Sequence, residues 1–578
     1  VDHSNGFVDA DVDFDGGGTP GMDLLVVSGS GSTTSTNRST YTPGPDSNSG
    51  TVVIEEDLND PTSRRQTIEF RNLTPVETTG MAEAIYQGPR SSDEVTLRAG
   101  TGPDTGLNAL EIFGSSDGTL VEREFFSDVG RVIVELALRD NVGAANDTVT
   151  IQAGALAANE GLTANGLVLR TGIGRDVINL LEDSYLTFGG ENALVIDAGQ
   201  GNTDRLNVNV SGSVADIDGF TLTNDDLAIA VGGAAAGTVS FVSPVSGLTT
   251  IGGDEVSLTG QSSADATFSN FFDLSGWTGG LATVNGGTST DDTIIGPDVN
   301  SVWNILDPAG TDDGTINGSS IVWQDVENLT GGSGNDDFIL ATVVPVPGAI
   351  DGGTAGVDTI DFSNRAGAQT IVLTSVTESV GYTGTATNVA GGFSNINGAT
   401  GTIGNDSLTN SVVDGVPNPL AGTFTLNADA GNFAIDTVAV TGIPVDFADL
   451  NPNPVTDPNP MPNQNPDTIT RRDGGSWITD GFTVGEMITI SGSASNDGTF
   501  TIGALTDGVI TLSAADALAN EASVVVSISA VQTPFTFADF EVFNAGNAGD
   551  TFNVNADQSP ATLNGGTGND VIALSSGV

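Results

Sequence analysis

Carboxylates set beside glycine-opened backbone are the residues of this chain whose types and spacing could do chemistry. They recur in TGIGRDVINL at 171, AGQGNTDRLNV at 198, GGTSTDDTII at 286, GGSGNDDFIL at 331, GGTAGVDTIDF at 352, AGNAGDTFNV at 545 and GGTGNDVIAL at 565. Each places glycine, which readily takes the positive φ of a tight turn, ahead of an aspartate and then a strand-forming apolar run. Carbonyls of an opened backbone and a carboxylate together supply the hard oxygens that calcium gathers six to eight at a time. The ligands expected from these turns are Gly172, Gly174 and Asp176, then Asp204, then Gly331, Gly332, Gly334 and Asp336, then Asp358 and Asp550, and finally Gly565, Gly566, Gly568 and Asp570. The competing reading of any one of them is a plain chain reversal.

A second acidic constellation is VDADVDFDGGGTPGMD at 8, with Asp9, Asp11, Asp13 and Asp15 on alternate positions. In a strand these carboxylates share one face at roughly 6.6–7 Å spacing. The run contains D-x-D-x-D-G, the start of an EF-hand loop, but its twelfth position is Met22 instead of glutamate. The expectation is an open calcium loop using Asp11, Asp13, Asp15 and Asp23, with a solvated strand edge as the alternative.

Catalysis has little to build on. His3 is the only histidine, at an expected loose end, and there is no cysteine, so Ser-His-Asp, Cys-His, histidine-metal and zinc-thiolate chemistry fall away. Paired acids such as Asp291 with Asp292 and Asp312 with Asp313 would suit a glycosidase in number, but adjacent strand residues point to opposite faces. No enzyme activity is expected.

The elements that must position these residues follow from composition. A chain of 578 residues with 38% hydrophobic content and 78 glycines is apolar enough to fold and reads as short strands joined by tight turns. Its 74 acids face 15 bases, all of them arginine, for a net charge of −59. That balance excludes nucleic acid, which needs basic patches, and disfavours anionic membrane surfaces. It attracts cations, and without cysteine or lysine to form covalent staples a coordinated metal is the expected stabiliser. No apolar run is long enough to span a membrane. The start at Val1 without a signal peptide suggests a processed protein or a segment of a longer one.

Strands running into acidic or polar turns recur as IEFRNLTPVE at 68, IVWQDVENL at 321, GGFSNING at 391 and FTFADFEVF at 535, so the repeating unit joins a strand, a loaded turn and another strand. Residues 29–50 read as a polar loop, and NPNPVTDPNPMPNQNP at 451–466 as a stiff, extended connector. The expected organisation is an acidic β-repeat unit at 1–95, irregular repeats at 96–450, the linker at 451–466, a small barrel at 467–530 and a resumed repeat at 531–578. Arg471 and Arg472, at the barrel entrance, are expected to balance local charge instead of docking an acidic subunit.

Two resemblances sharpen this. Gly331, Gly332, Gly334, Asp336 and Phe338, and again Gly565, Gly566, Gly568, Asp570 and Ile572, fit GGxGxDxUx with U a large apolar residue, and so resemble the calcium turns of repeats-in-toxin proteins. That likeness implies calcium on the turn carbonyls and the aspartate, with U filling the core of a parallel β-roll. The family completes each site with the next nonapeptide, however, and no two full copies are adjacent here. Residues 467–530, through Trp477, Phe482, Gly485, Gly492, Asn496, Gly498 and Phe500, resemble a small β-barrel module of bacterial surface and phage tail proteins. The expected fold is therefore all-β, an elongated parallel β-solenoid with an inserted small barrel, tandem β-sandwiches being the alternative. The expected function is a secreted or cell-surface structural protein, a calcium-stiffened fibre, surface layer or filament that self-associates. The alternatives are an adhesin binding glycans or a host surface, and a β-helical polysaccharide lyase or hydrolase.

Overall fold

The computed structural model describes residues 1–574 apart from 18–22, 32–35, 140–145, 156–165, 182–193, 199–203, 212–216, 242–254, 262–268, 307–312, 341–344, 413–421, 450–465, 514–517, 531–534, 556–561 and scattered shorter stretches. It is all-β, with several sheets and one closed six-stranded barrel; a single 3₁₀ turn at Ala137–Arg139 is the one helical element among the described residues. The chain divides into two units, residues 1–297 with 313–327, and residues 298–312 with 328–578.

In the first unit, one sheet carries the parallel succession Asp93–Thr101, Thr148–Ile151, Val177–Leu181, Arg205–Asn209, Glu255–Thr259, Leu281–Asn285 and Ile321–Gln324. The register stacks like on like. Val149, Ile178, Leu206, Val256 and Ala282 form one buried column, and Ile151, Leu180, Val208, Leu258, Val284 and Trp323 a second. Alternation along each strand turns the intervening Thr150, Asn179 and Asn207 to the other face, where Asn207 Nδ2 donates to Asn179 Oδ1 (2.9 Å) and Asn179 Nδ2 to Thr150 Oγ1 (3.3 Å). A one-residue slip would exchange the two faces, so the apolar pattern itself fixes the register.

The second unit repeats the scheme with Ser301–Ile305, Asp336–Leu340, Thr359–Asp361, Gly398–Thr400 and Phe535–Ala538 in parallel on one sheet. Asn328–Thr330, Ile350–Asp351 and Val389–Ile396 pair in parallel on another, so the chain passes from sheet to sheet between consecutive strands. Many strands end in an aspartate or asparagine that accepts the amide two residues on, as Asp351 does from Gly353 (2.9 Å), Asp361 from Ser363 (2.7 Å) and Asn285 from Gly287 (2.9 Å). These Asx turns end each strand with a local hydrogen bond that needs no distant partner.

Gly398–Thr400 pairs with Phe535–Ala538, and Ser407–Asn410 with Val542–Asn544, across about 135 residues. The barrel lies inside that interval. Its order is Ala439–Ala448, Thr468–Arg471, Val509–Leu512, Gly498–Leu505, Met487–Ser491 and Glu521–Ala530, closed by the last strand against the first. It therefore begins one strand earlier than the sequence suggests, because the alternating run Ala439–Ala448 precedes the proline-rich stretch and closes the sheet. Nearly all of that stretch, 450–465, lies outside the described residues.

Two local readings are also corrected. Within the presumed polar loop at 29–50, Arg38–Pro43 is a strand with alternate residues buried, Tyr41 among them, packed against Phe70 and Tyr86. His3 is buried instead of loose. Its Nε2 meets Gln66 Oε1 at 3.0 Å and its Nδ1 accepts the Val8 amide at 3.1 Å, an arrangement suited to the neutral ring that burial favours by lowering its pKa.

Candidate functional site

The aspartates of the glycine turns all sit immediately before, or at the start of, a parallel strand, and this placement decides what they meet. The Asp93 amide donates to Asp147 Oδ1 (2.7 Å), the Asp147 amide to Asp176 Oδ1 (2.8 Å), and the Asp176 amide to Asp204 Oδ1 (2.8 Å). In the second unit the Asp336 amide donates to Asp358 Oδ1 (2.8 Å), the Asp358 amide to Asn397 Oδ1 (2.8 Å), and the Asp550 amide to Asp570 Oδ1 (3.0 Å). Each carboxylate thus accepts the backbone N–H of its counterpart on the neighbouring strand. A second series follows the other sheet, where the amides of Asn270 and Asp292 donate to Asp292 Oδ1 (2.6 Å) and Glu327 Oε2 (2.8 Å), and those of Gln369 and Asp406 to Asp406 Oδ1 (2.5 Å) and Glu541 Oε2 (2.8 Å).

The glycines have a steric task here. A Cβ on Gly331 would lie 2.5 Å from Asp336 Oδ2, and one on Gly352 would lie 2.6 Å from Asp358 Oδ2. The same clash arises between Gly565 and Asp570. At Gly331 and Gly352 a neighbouring backbone carbonyl, that of Gly352 and of Asn395 respectively, lies closer still, so carbonyl and carboxylate together leave no room for a side chain there. Within its own turn, Asp336 Oδ2 accepts the Gly332 amide (3.1 Å), while Oδ1 accepts the Trp303 indole N–H (3.3 Å). Gly334 lies against Val299 and Asn300, Gly172 takes a φ of 95°, and Gly566 and Gly568 take 77° and 149°.

Asp147, Asp176, Asp204, Asp336, Asp358 and Asp550 are buried, whereas Asp570 is exposed. Burial pushes Asp336 up to about 6, against hydrogen bonds from Trp303, Gly332 and Ser301 that pull it down. Burial likewise raises Asp358 to about 7, countered by the Asp336 amide and reinforced by the Asp336 and Asp351 carboxylates.

By themselves these carboxylates do not make a calcium shell. Each rung contributes one carboxylate per strand instead of a converging set, and one oxygen of each is already taken by an N–H. Among the described residues no three acidic or histidine side chains gather as a metal group.

The N-terminal acids are also engaged. Val12–Asp15 pairs in parallel with Arg65–Arg71, so Asp13 and Asp15 share a face as expected, but both meet Arg71, at 3.0 and 3.1 Å. Asp15 also accepts from Asn72 Nδ2 (2.7 Å) and the Gly17 amide (3.0 Å), which with Arg71 hold it below the ordinary carboxylate range. Asp11 Oδ1 accepts the Thr67 amide (2.8 Å), and the Asp23 carbonyl accepts the Thr74 amide (2.9 Å). Residues 18–22 of the proposed loop, Met22 included, lie outside the described residues.

Sequence reasoning missed Asp93, Asp147, Asp406, Asn397, Glu327 and Glu541 as members of the same series, and placed Asp292 in a glycine turn without naming it among the site residues. Their signal is an Asp, Asn or Glu directly before a short apolar strand, and it is weak because glutamate and asparagine serve equally well. It also missed the buried pair Glu122 and Glu124, which no motif marks.

In the barrel, Arg471 lies between Asp473 (2.5 Å) and Asp480 with its guanidinium 4.9 Å from the Trp477 ring, and Arg472 pairs with Asp446. Arg471→Ala is expected to destabilise the barrel by about 2 kcal/mol, since it removes charge-assisted hydrogen bonds and a cation–π contact at once. Faster hydrogen exchange at the Thr468–Arg471 and Val509–Leu512 amides measures it, and an unchanged exchange rate would assign the pair to mere surface charge.

No family model matches this chain, and no curated protein matches it.

Proposed function

We propose that the chain is a secreted or cell-surface structural protein whose parallel strands form β-solenoid coils, with a small barrel inserted as a side module. The observation that carries this reading is the repeated stacking of equivalent residues within each unit, apolar columns inside and hydrogen-bonded acid or amide rungs at the strand starts. Parallel pairing between strands that alternate sheets favours coils over tandem sandwiches, whose hairpins pair antiparallel. The acids of the rungs each give one oxygen to a backbone amide and lie one per strand, which does not favour the paired carboxylates of a lyase or hydrolase.

Self-association belongs to this reading because a stack of parallel strands offers edge strands that template further strand pairing. Sedimentation velocity and negative-stain microscopy of the purified chain test this. Concentration-dependent assembly is the expected result. A monomer at every concentration, with or without calcium, would remove the fibre reading.

An adhesin is the second reading. It is favoured by the exposed Ile478, Val484 and Val525 of the barrel, apolar residues that a presenting module would offer to a partner. Binding of the full chain to a glycan array, lost on replacing these side chains by serine, would select it.

A further inference from the structure

We infer that the glycine–aspartate turns are metal-independent clasps that lock each strand to its neighbour, and that what the position requires is a planar side-chain oxygen accepting one backbone N–H, with calcium binding no part of its role.

Three independent observations carry this. The contact repeats in both units, at 2.7–2.8 Å from Asp147 and Asp176 in the first to Asp358 in the second, and at 2.5, 2.6 and 3.0 Å at Asp406, Asp292 and Asp570. The side chain that accepts varies in charge and length without changing the contact. Asn397 Oδ1 takes the Asp358 amide at 2.8 Å, and Glu327 and Glu541 take those of Asp292 and Asp406 at the same distance. A neutral amide satisfies the position as well as a carboxylate does, so the contact requires an oxygen acceptor and not a charge. Finally, the glycine that precedes the aspartate is explained by van der Waals exclusion, since its absent Cβ makes room both for a neighbouring backbone carbonyl and for the carboxylate oxygen.

The clasp has a structural consequence of its own. The amide it satisfies belongs to the residue just ahead of the ladder, where a buried N–H lacks a partner on the adjacent strand and would otherwise be left without one at substantial cost. Capping it fixes which residue begins the strand, and therefore which side chains enter the core. In the first unit the rung continues through strands joined by connections of quite different length, Asp93 to Asp147 being 54 residues apart and Asp176 to Asp204 only 28. The clasp thus supplies register where repeat length does not.

Asp358 is the rung to test, because its Oδ1 accepts the Asp336 amide and the next rung is a natural asparagine. The experiment compares thermal unfolding of the full chain and of Asp358→Asn, Asp358→Ala and Asn397→Asp, each in excess calcium and in chelator. The expected result is a wild-type midpoint that is the same in both buffers, Asp358→Asn and Asn397→Asp close to wild type, and Asp358→Ala clearly lower in both, with faster exchange of the Asp336 amide. A wild-type midpoint that drops in chelator overturns the clasp, as does an Asp358→Asn midpoint as low as that of Asp358→Ala. If Asp358→Ala does not fold, the two isosteric exchanges still decide. The outcome is independent of the assembly measurement that tests the fibre reading.

Discussion

Phe338→Ala is expected to cost about 3–5 kcal/mol, the range for deleting a large buried aromatic. The ring is fully buried, stacks on Trp303 with centroids 5.2 Å apart, and belongs to a strand whose register pairs Phe338 with Trp303 on one side and Ile360 on the other. Collapse into the cavity would require the Ser301–Ile305 and Thr359–Asp361 strands to move together, and their backbone ladders and the Asp336 and Asp358 clasps resist that. The loss should therefore lie near the top of the range. It also reaches the turn, since Trp303 would lose its stacking partner while its indole N–H bonds Asp336. Denaturant unfolding with hydrogen exchange at the Asp336–Leu340 amides measures it, with Phe338→Leu recovering most of the stability. A loss below about 1 kcal/mol would mean that the column at this level repacks freely.

The second large effect is a loss of stability toward alkaline pH, carried by Glu122 and Glu124. Both side chains are buried in the first unit. Burial raises Glu124 to about 8; the Thr78 hydroxyl, donating to Oε1 at 2.7 Å, opposes this, and the Glu122 and Glu77 carboxylates add to it. Burial raises Glu122 to about 7 against a hydrogen bond from Thr74. Tyr41 and Tyr86, themselves pushed upward by burial, line the same interior. A carboxyl whose folded pKa exceeds its unfolded value holds its proton more tightly in the native state, so its stabilising contribution is complete below the ordinary glutamate range and is lost as pH rises through 7 to 8. At about 1.4 kcal/mol per pKa unit the pair is worth several kcal/mol, taken as an upper bound. Glu111 runs the other way, because although burial opposes it, Arg98 and Arg123 hold it below its usual value and its contribution disappears on acidification. The unit should be most stable on the mildly acidic side of neutrality. Glu124→Gln should flatten the alkaline decline, preserving the shape and the bond to Thr78 without a proton to lose. Melting curves from pH 5 to 9 decide, and a mutant whose decline matches wild type would exonerate Glu124.

These two effects differ in how far the sequence announces them. Phe338 is visible in GGSGNDDFIL as the apolar residue that must follow the turn inward, and the structure places it there. Nothing about REFFSD at 123 reveals that Glu124 points into a core, because its strand does not alternate: Glu124, Phe125, Phe126 and Ser127 are all buried, and a run of that kind has no outward face to read.

Local chemistry therefore determined much of this protein before any tertiary contact is considered. Short alternating runs became strands, glycine, aspartate and asparagine became the turns between them, NDG at 496 lies between the paired strands Met487–Ser491 and Gly498–Leu505, and the missing cysteine and lysine removed covalent staples. Each of these depends on residues a few positions apart. What the aspartates do was decided only by the tertiary structure. The acid run at 9–15 depends on Arg71, and Asp406 on Glu541, 135 residues away. A carboxylate that caps an amide needs that amide beside it, and only strand stacking brings the N–H to it, at 2.8 Å for Asp176 and Asp358.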